Sequence, residues 1–207
     1  MAARTRLTCF ALLGLLVTGW SGAAQAAYSD DAVKAAFLYR FTGFVDWPPQ
    51  SLEPGHFTIA VLGSRPVAKE LARLLVKYPV KNLPARVRLV DHARQARDAQ
   101  ILYVGKSFPG DLREVTDVLE RRPVLLVTDH AGALDEGSAV NFLLVDRRVR
   151  FEISLAAAHR AGLKVSSQLL AVAAHVRGAA LPSPSPSCNE TWRQSLDHGC
   201  RFKVARL

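Results

Sequence analysis

Apolar and polar positions along the chain follow two alternating spacings, one typical of helices and one of strands. From residue 29 to 45 apolar residues recur every three or four positions, which predicts an amphipathic helix that Ser29 or Asp30 can cap. Trp47 and the Pro48-Pro49 pair end this helix. Short β-branched runs then alternate with helical patterns. We predict strands over residues 56–63, 86–91, 100–104 and 124–128, and helices over residues 66–75 and 111–121.

The last two predicted strands, residues 140–145 and 149–153, have a different connection from the others. Only Asp146-Arg147-Arg148 joins them, which is too short for a crossover and predicts an antiparallel hairpin. The earlier alternation of strands and helices predicts right-handed crossovers and a mainly parallel sheet covered on both faces. The predicted fold is therefore an α/β three-layer sandwich whose mixed sheet has about six strands.

The N-terminal segment has the pattern of a signal peptide. Arg4 and Arg6 precede an apolar run over residues 7–17, and Ala24-Gln25-Ala26 offers the small residues that signal peptidase accepts. The run is shorter than the roughly 20 residues that a membrane span needs. We predict that residues 1–26 are removed and that an exported chain begins at Ala27, with a retained N-terminal anchor as the alternative. Residues 27–178 then form one domain.

The charge of the chain is strongly basic, with 27 Lys and Arg against 18 Asp and Glu. Loss of the predicted signal peptide would leave a formal charge of +7. The basic residues are scattered singly, without a basic run or an interleaved aromatic platform, which argues against nucleic acid as a partner. The excess favours solubility or attraction to an anionic membrane surface.

The C-terminal segment, residues 179–207, contains the sequence LPSPSPS at residues 181–187, which predicts a stiff linker. Beyond it, Cys188 and Cys200 are the only cysteines left after signal removal, and in an oxidising compartment they predict one disulfide. A metal site that adds His198 is the alternative, but its spacing matches no common zinc pattern. We therefore predict neither a metal nor a cofactor.

Candidate catalytic groups are few. The domain lacks a GxSxG elbow and a nucleophilic cysteine. Gly63-Ser64, between a strand and a helix, fits either an anion cradle or an ordinary tight turn, and it lacks the Lys and Ser/Thr of a P-loop. Asp129 and Asp135 fit either a pair of acid/base carboxylates or turn capping. The residues thus favour a protein that is not an enzyme.

The first helix carries an aromatic stripe, made of Phe37, Phe41 and Phe44, that fits either the core or an exposed docking patch. Off the stripe lie Tyr39, Arg40 and Trp47, which could face a ligand or partner, and Phe44 of the stripe could belong to the docking patch. The candidate partner-binding residues are Tyr39, Phe44 and Trp47.

The segment over residues 137–170 combines the hairpin with two helices and carries a polar cluster that includes Asn141. Strand alternation places Arg150 and Glu152 on one face, where they can pair, and apolar residues on the other. Lys164, Ser166 and Ser167 are predicted to begin a helix after Gly162, where free amides can hold an anion. The alternatives are an ion pair between Glu152 and Lys164 or a small-ligand pocket. The pocket residues are Arg150, Glu152, Lys164, Ser166 and Ser167.

Two stretches of the chain resemble the YfiR family of periplasmic regulators, namely KAAFLYRFTGFVDWP (residues 34–48) and the run over residues 124–170, of which RFEISLAAAHRAGLKVSSQLL (residues 150–170) is the most specific portion. The resemblance extends from about Tyr28 to Val176. It implies a periplasmic, commonly dimeric protein that binds the periplasmic sensing domain of an inner-membrane diguanylate cyclase and holds it inactive. Cyclic di-GMP and biofilm formation would then be limited, and the protein itself would catalyse nothing.

The resemblance also implies a small-ligand site near the strand-to-helix junction that contains Glu152 and Lys164. Some relatives have disulfides within the domain, whereas this domain has no cysteine, so redox sensing through the core is in doubt. A second hypothesis is a periplasmic small-molecule binding module that serves another membrane sensor, such as a histidine kinase.

Overall fold

The computed structural model describes residues 29–52 and 55–178. The predicted signal peptide and the tail with Cys188 and Cys200 lie outside the described residues. The strands are β1 (Val45–Asp46), β2 (Phe57–Leu62), β3 (Ala85–Val90), β4 (Ile101–Val104), β5 (Leu125–Thr128), β6 (Val140–Val145), β7 (Arg148–Ser154), β8 (Lys164–Val165) and β9 (His175–Arg177). The α-helices are α1 (Asp30–Phe44), α2 (Arg65–Lys77), α3 (Leu112–Val118), α4 (Leu155–Arg160) and α5 (Ser167–Ala171).

The main sheet has seven strands in the order β3-β2-β4-β5-β6-β7-β9. Neighbours from β3 to β6 pair in parallel, β6 and β7 form the antiparallel hairpin, and β9 joins β7 in parallel. The prediction of a mixed, mainly parallel α/β sheet is therefore confirmed. The additional strand is β9, which has three exposed residues and so carries no burial pattern. A separate two-stranded sheet pairs β1 with β8.

Helical layers cover both faces of the sheet because its central strands are apolar on both sides. In β2, Phe57, Ile59 and Val61 face one core, while Ala60 and Leu62 face the other. The first core also contains buried residues of α1, α2, α4 and α5, and the second contains those of α3 and of a 3-10 helix at Ala93–Ala96. Strands buried on both faces require this three-layer arrangement.

Serine and aspartate side chains begin the helices, as their positions in the sequence predict. The hydroxyl of Ser29 accepts a hydrogen bond from the backbone N–H of Ala32 at 3.2 Å, so Ser29 is the cap of α1. Ser64 caps α2, and Pro66 lies in the first turn of that helix.

The residue after α1 that was predicted to face a partner, Trp47, is instead buried, with 6% of its surface exposed. Its indole N–H donates to the backbone carbonyl of Gln100 at 2.9 Å, and its ring packs edge-on against Phe57 at 5.1 Å. The prediction is wrong because β1 turns the chain under the sheet immediately after the helix, where the amphipathic indole finds an acceptor.

The side chain of Gln100 also connects the segment after Trp47 to the sheet, through two hydrogen bonds. Its amide oxygen accepts a hydrogen bond from the backbone N–H of Thr58 at 2.7 Å, and its amide nitrogen donates to the carbonyl of Ser51 at 2.5 Å. Gln100 is 2% exposed, so water cannot readily replace these bonds. One side chain thus joins β2, the start of β4 and the loop after Trp47.

We expect Gln100→Met to lower the free energy of unfolding by about 2–3 kcal/mol, because it leaves the buried N–H of Thr58 and the partly buried carbonyl of Ser51 without this partner. Urea denaturation of both proteins measures the change. The matched control is Gln95→Met, since Gln95 also bonds backbone groups but is exposed. Its loss should be well under about 1 kcal/mol. Equal losses in the two variants would contradict the structural role of Gln100.

Candidate functional site: a charged cleft at the carboxyl ends of the parallel strands

The carboxyl ends of β2 and β4 lie at the point where the order of strand addition along the sheet reverses. The chain passes from β2 outward to β3 and then returns to the other side of β2 at β4. In doubly wound sheets, the crevice at such a switch point is the usual place for ligands. Here it is a cleft of about 560 Å³. The residues that directly follow the strands border it: Gly63 and Ser64 after β2, Lys106 and Ser107 after β4, and Asp129 after β5.

Two glycines allow the turns at this edge to approach each other. Gly63 has φ +71°, and a Cβ there would lie 2.7 Å from the backbone nitrogen of Phe108. A Cβ on Gly105 would lie 2.8 Å from the Cβ of Ser64. A larger residue at either glycine would therefore push the β2 and β4 turns apart. The predicted Gly63-Ser64 turn does lie at a cleft, although its serine hydroxyl caps α2.

The buried carboxylate of Asp129 is the central charged group of the cleft. Lys34 Nζ lies 2.5 Å from its Oδ2, and Lys106 Nζ lies 3.6 Å from its Oδ1. The Lys34 side chain is 12% exposed and that of Lys106 is 67% exposed, so solvent screens the second pair much more. A buried carboxylate requires such partners. Lys34 thereby ties the first turns of α1 to the end of β5.

Asp129 and Asp135 do not form the carboxylate pair that the sequence left open. Asp135 is exposed and bonds Arg177 at 2.7 Å. Turn formation accounts for Asp135 but not for Asp129, which is held by lysines on two other elements. The acid/base interpretation of the two residues is therefore wrong.

Tyr103 of β4 lies beside this carboxylate, with its hydroxyl 3.5 Å from Asp129 Oδ2. Burial raises the pKa of Tyr103 well above its ordinary value, and the negative charges of Asp129 and Asp31 raise it further. The phenol therefore stays protonated and can only act as a neutral hydrogen-bonding group in the cleft.

The lining of the cleft carries opposite charges in equal number, which suits a small polar molecule better than a multiply charged anion. Nothing in the lining pairs a nucleophile with a base, and the described residues contain no group of three or more His, Cys, Asp or Glu that could hold a metal. The arrangement can bind and orient a ligand. Its charged residues are Lys34, Arg65, Lys106, Asp31, Asp91 and Asp129.

The pocket that the sequence predicted at the hairpin is not assembled in the structure. Glu152 lies on the face of β7 opposite Phe151 and Ile153. Leu163 and Val165, which flank Lys164, pack in the same core as Phe151 and Ile153. The sheet therefore separates Glu152 from Lys164. The ion pairs found within residues 29–52 and 55–178 do not include one between these two side chains.

The other predicted pocket residues have separate structural positions. Arg150 is exposed on β7 and makes no ion pair with Glu152 in the described part of the chain. Lys164 belongs to β8, opposite Asp46, and not to a helix as predicted. Ser166 caps α5 by accepting from the N–H of Leu169 at 3.3 Å, which confirms its role as a cap. Ser167 is exposed in the first turn of that helix.

Glu152 has a structural partner that the sequence did not specify. The amide nitrogen of Asn141 donates to its carboxylate at 3.0 Å. The amide oxygen of Asn141 accepts from the hydroxyl of Thr128 at 2.9 Å and from the N–H of His130 at 3.2 Å. Asn141 thus connects β5, β6 and β7 through buried polar groups, and this explains its place in the hairpin.

The aromatic stripe of α1 belongs mainly to the core. Phe41 is fully buried, and Phe37 and Phe44 are half-buried against the same cluster. Tyr39 is half-buried with its ring 5.9 Å from that of Tyr78. Of the three predicted partner-binding residues, Tyr39 and Phe44 therefore keep some exposed surface.

The cleft residues Lys34, Tyr103 and Lys106 escaped the sequence analysis. A signal was present for Lys106, which follows β4, since the carboxyl ends of parallel strands meet at one edge of the sheet, but not for Tyr103, which lies inside that strand. Lys34 carries no such signal, because its contact depends on where α1 packs.

Fold and site together define the class of this protein: a doubly wound α/β domain with a charged cleft at its switch point. A family model described as YfiR/HmsC-like matches residues 31–174. The chain belongs to this family, whose members are regulatory and not catalytic proteins. The resemblance noted in the sequence is therefore confirmed.

A solved structure with a similar fold is the conserved domain protein from Vibrio cholerae O1 biovar El Tor. It superposes with a TM-score of 0.52 at 10% identity over 72% of this chain, which spans 60% of that protein's length. This likeness concerns the fold alone. Among curated proteins, none matches the chain.

We expect Tyr103 to remain protonated in the folded protein at a pH where exposed tyrosines ionise, near pH 10. The absorbance rise at 295 nm up to about pH 11 should be the same in the wild type and in Tyr103→Phe.

The raised pKa of Tyr103 also makes the free energy of unfolding depend on pH. Because the folded-state pKa is raised, the contribution of Tyr103 is present below about pH 10 and is lost as the pH rises further. If the absorbance rise at 295 nm below about pH 11 were smaller in Tyr103→Phe than in the wild type, the burial of this phenol would be contradicted.

Proposed function

We propose that this protein is a periplasmic inhibitor that binds the periplasmic sensing domain of an inner-membrane diguanylate cyclase and represses it. Lower cyclic di-GMP and less biofilm matrix would follow. The observation that carries the proposal is the YfiR/HmsC-like family match over residues 31–174. In the described part of the chain no helix has the length and apolarity needed to cross a bilayer.

An exposed apolar surface supports a role in docking. Val76 and Tyr78, at the end of α2, are 88% and 51% exposed, and Tyr78 packs beside Tyr39 of α1. Aromatic residues that remain partly exposed are frequent anchors of protein interfaces. We name Tyr39, Val76 and Tyr78 the tyrosine patch, and we propose it as the contact with the cyclase.

A second candidate function, a small-molecule binding module that serves another membrane sensor, is favoured by the cleft. The buried Asp129, its two lysines and the balanced charges of the lining form a preorganised polar site at a switch point. The two functions are compatible, because a ligand in the cleft could change the affinity for a partner.

We expect deletion of the gene to raise cellular cyclic di-GMP, and pull-down from detergent-solubilised membranes to recover a diguanylate cyclase. Tyr78→Ser should weaken capture about tenfold, the usual cost of losing one aromatic anchor. Val172→Ser, which changes an exposed aliphatic residue outside the tyrosine patch, is the control. Unchanged cyclic di-GMP together with the absence of a membrane partner would refute the proposed inhibition.

For the second function, we expect a thermal-shift screen of small polar metabolites to find one that raises the melting temperature by about 5–10 °C at a hundred times its Kd. Arg65→Ala should abolish the shift, because Arg65 lines the cleft and is exposed. Glu152→Ala should leave it in place. The opposite result would restore the hairpin site that the sequence predicted.

A further inference from the structure

The β6–β7 hairpin extends beyond the strands on either side of it. Strand β6 pairs with β5 only at Val140 and Asn141, and β7 pairs with β9 only from Glu152 onward. Residues 142–151, which we call the ribbon, therefore have strand partners only in each other within the described residues, and the N–H of Ala174 donates to the carbonyl of Phe151 at their base at 2.8 Å. The ribbon projects past the carboxyl end of β5.

Only one face of the ribbon is covered, and the cover ends before the tip. Phe142 and Phe151 pack against Phe37 and Phe41 of α1, with ring centroids 5.2–6.0 Å apart. Val149 of β7 is also buried on this face, with 8% of its surface exposed, whereas the aliphatic side chains of β6 beyond Phe142 lose their cover. Leu144 is 58% exposed and Val145 is 43% exposed at the tip.

The tip is also basic. Arg147, Arg148 and Arg150 are all exposed, and none of them forms an ion pair within residues 29–52 and 55–178. Asp146 is the one acidic residue between Val145 and Arg150. Two exposed aliphatic residues, which strand alternation places on opposite faces of the ribbon, thus stand beside three cations that have no acidic partner within the described residues.

The turn at the tip has a backbone conformation that is unfavourable for its second residue, Arg147. Asp146 has φ 49° and Arg147 has φ 60°, both in the left-handed region. Tight hairpin turns of this kind usually carry Asn-Gly or Asp-Gly, because glycine adopts positive φ without strain. An arginine at the second position is unfavourable for folding, and such a residue points to a role outside folding.

We propose that the ribbon tip docks on an anionic phospholipid bilayer. Leu144 and Val145 enter the boundary between headgroups and acyl chains, while the three arginines bind lipid phosphates. Aliphatic residues flanked by cations are the composition of surfaces that lie at anionic membrane interfaces. The proposal is independent of the proposed inhibition of a cyclase, since it needs only an anionic membrane beside the protein.

Two other occupants fit the tip less well. A second copy placed across a twofold axis would bring six arginines together and incur their repulsion. A stable protein interface buries roughly 800 Å² per partner, drawn from about 20–30 residues, whereas the apolar part of the tip is two side chains. Binding to a bilayer does not require a complementary surface of that area, because individual side chains can insert between the lipids.

The test is co-sedimentation of the protein, purified as its host cell processes it, with vesicles of stated composition. We expect binding to phosphatidylcholine vesicles that contain about a third phosphatidylglycerol, little binding to pure phosphatidylcholine, and release at about 0.5 M salt. The double substitution Leu144→Ser with Val145→Ser should weaken binding about tenfold or more. Val172→Ser, at an exposed aliphatic position outside both the ribbon and the tyrosine patch, should bind like the wild type.

Arg147→Gly separates membrane binding from folding, because its two effects have opposite signs. Glycine suits the left-handed backbone, so the melting temperature should stay the same or rise. Vesicle binding should fall about fivefold with the loss of one cation. This variant therefore tests whether the tip binds the membrane even if the protein with the double substitution does not fold.

Three results would overturn the proposal. The wild type could remain in the supernatant with anionic vesicles, or the tip variants could bind them as strongly as the wild type does. Gel filtration could also show that the double substitution turns a dimer into monomers without changing vesicle binding. The ribbon would then be a contact between copies of the chain.

Discussion

The buried carboxylate of Asp129 is the constraint around which the carboxyl edge of the sheet is organised. A charge with so little exposure is stable only beside an opposite charge, and Lys34 supplies it from the first turns of α1. The pair fixes where α1 crosses the sheet. That position in turn brings Phe37 and Phe41 onto the hairpin and leaves the cleft open between α1 and the β2 and β4 turns.

The regular parts of this fold follow from local pattern, while the site follows from packing. The strands with strong β-branched runs, the serine cap of α1 and the antiparallel hairpin were all predictable, because each depends on neighbouring residues. The strands β1, β8 and β9 have two or three residues and no distinguishable period. They form because tertiary contacts bring their backbones together.

The error at the hairpin has one physical cause. Glu152 and Lys164 are near in sequence and opposite in charge, which favours a shared site when only the sequence is considered. Strand alternation sends Glu152 to one side of the sheet, and α4 carries the chain to the other side before Lys164. Trp47 shows the same limit, since its exposure depends on the path of the chain after α1.

The contacts of α1 give two distant regions of the molecule a common support. Lys34 holds the cleft carboxylate, and Phe37, one turn later, packs on the ribbon, which lacks flanking strands along most of its length. The cleft and the base of the ribbon thus share one support, and a displacement of α1 would act on both.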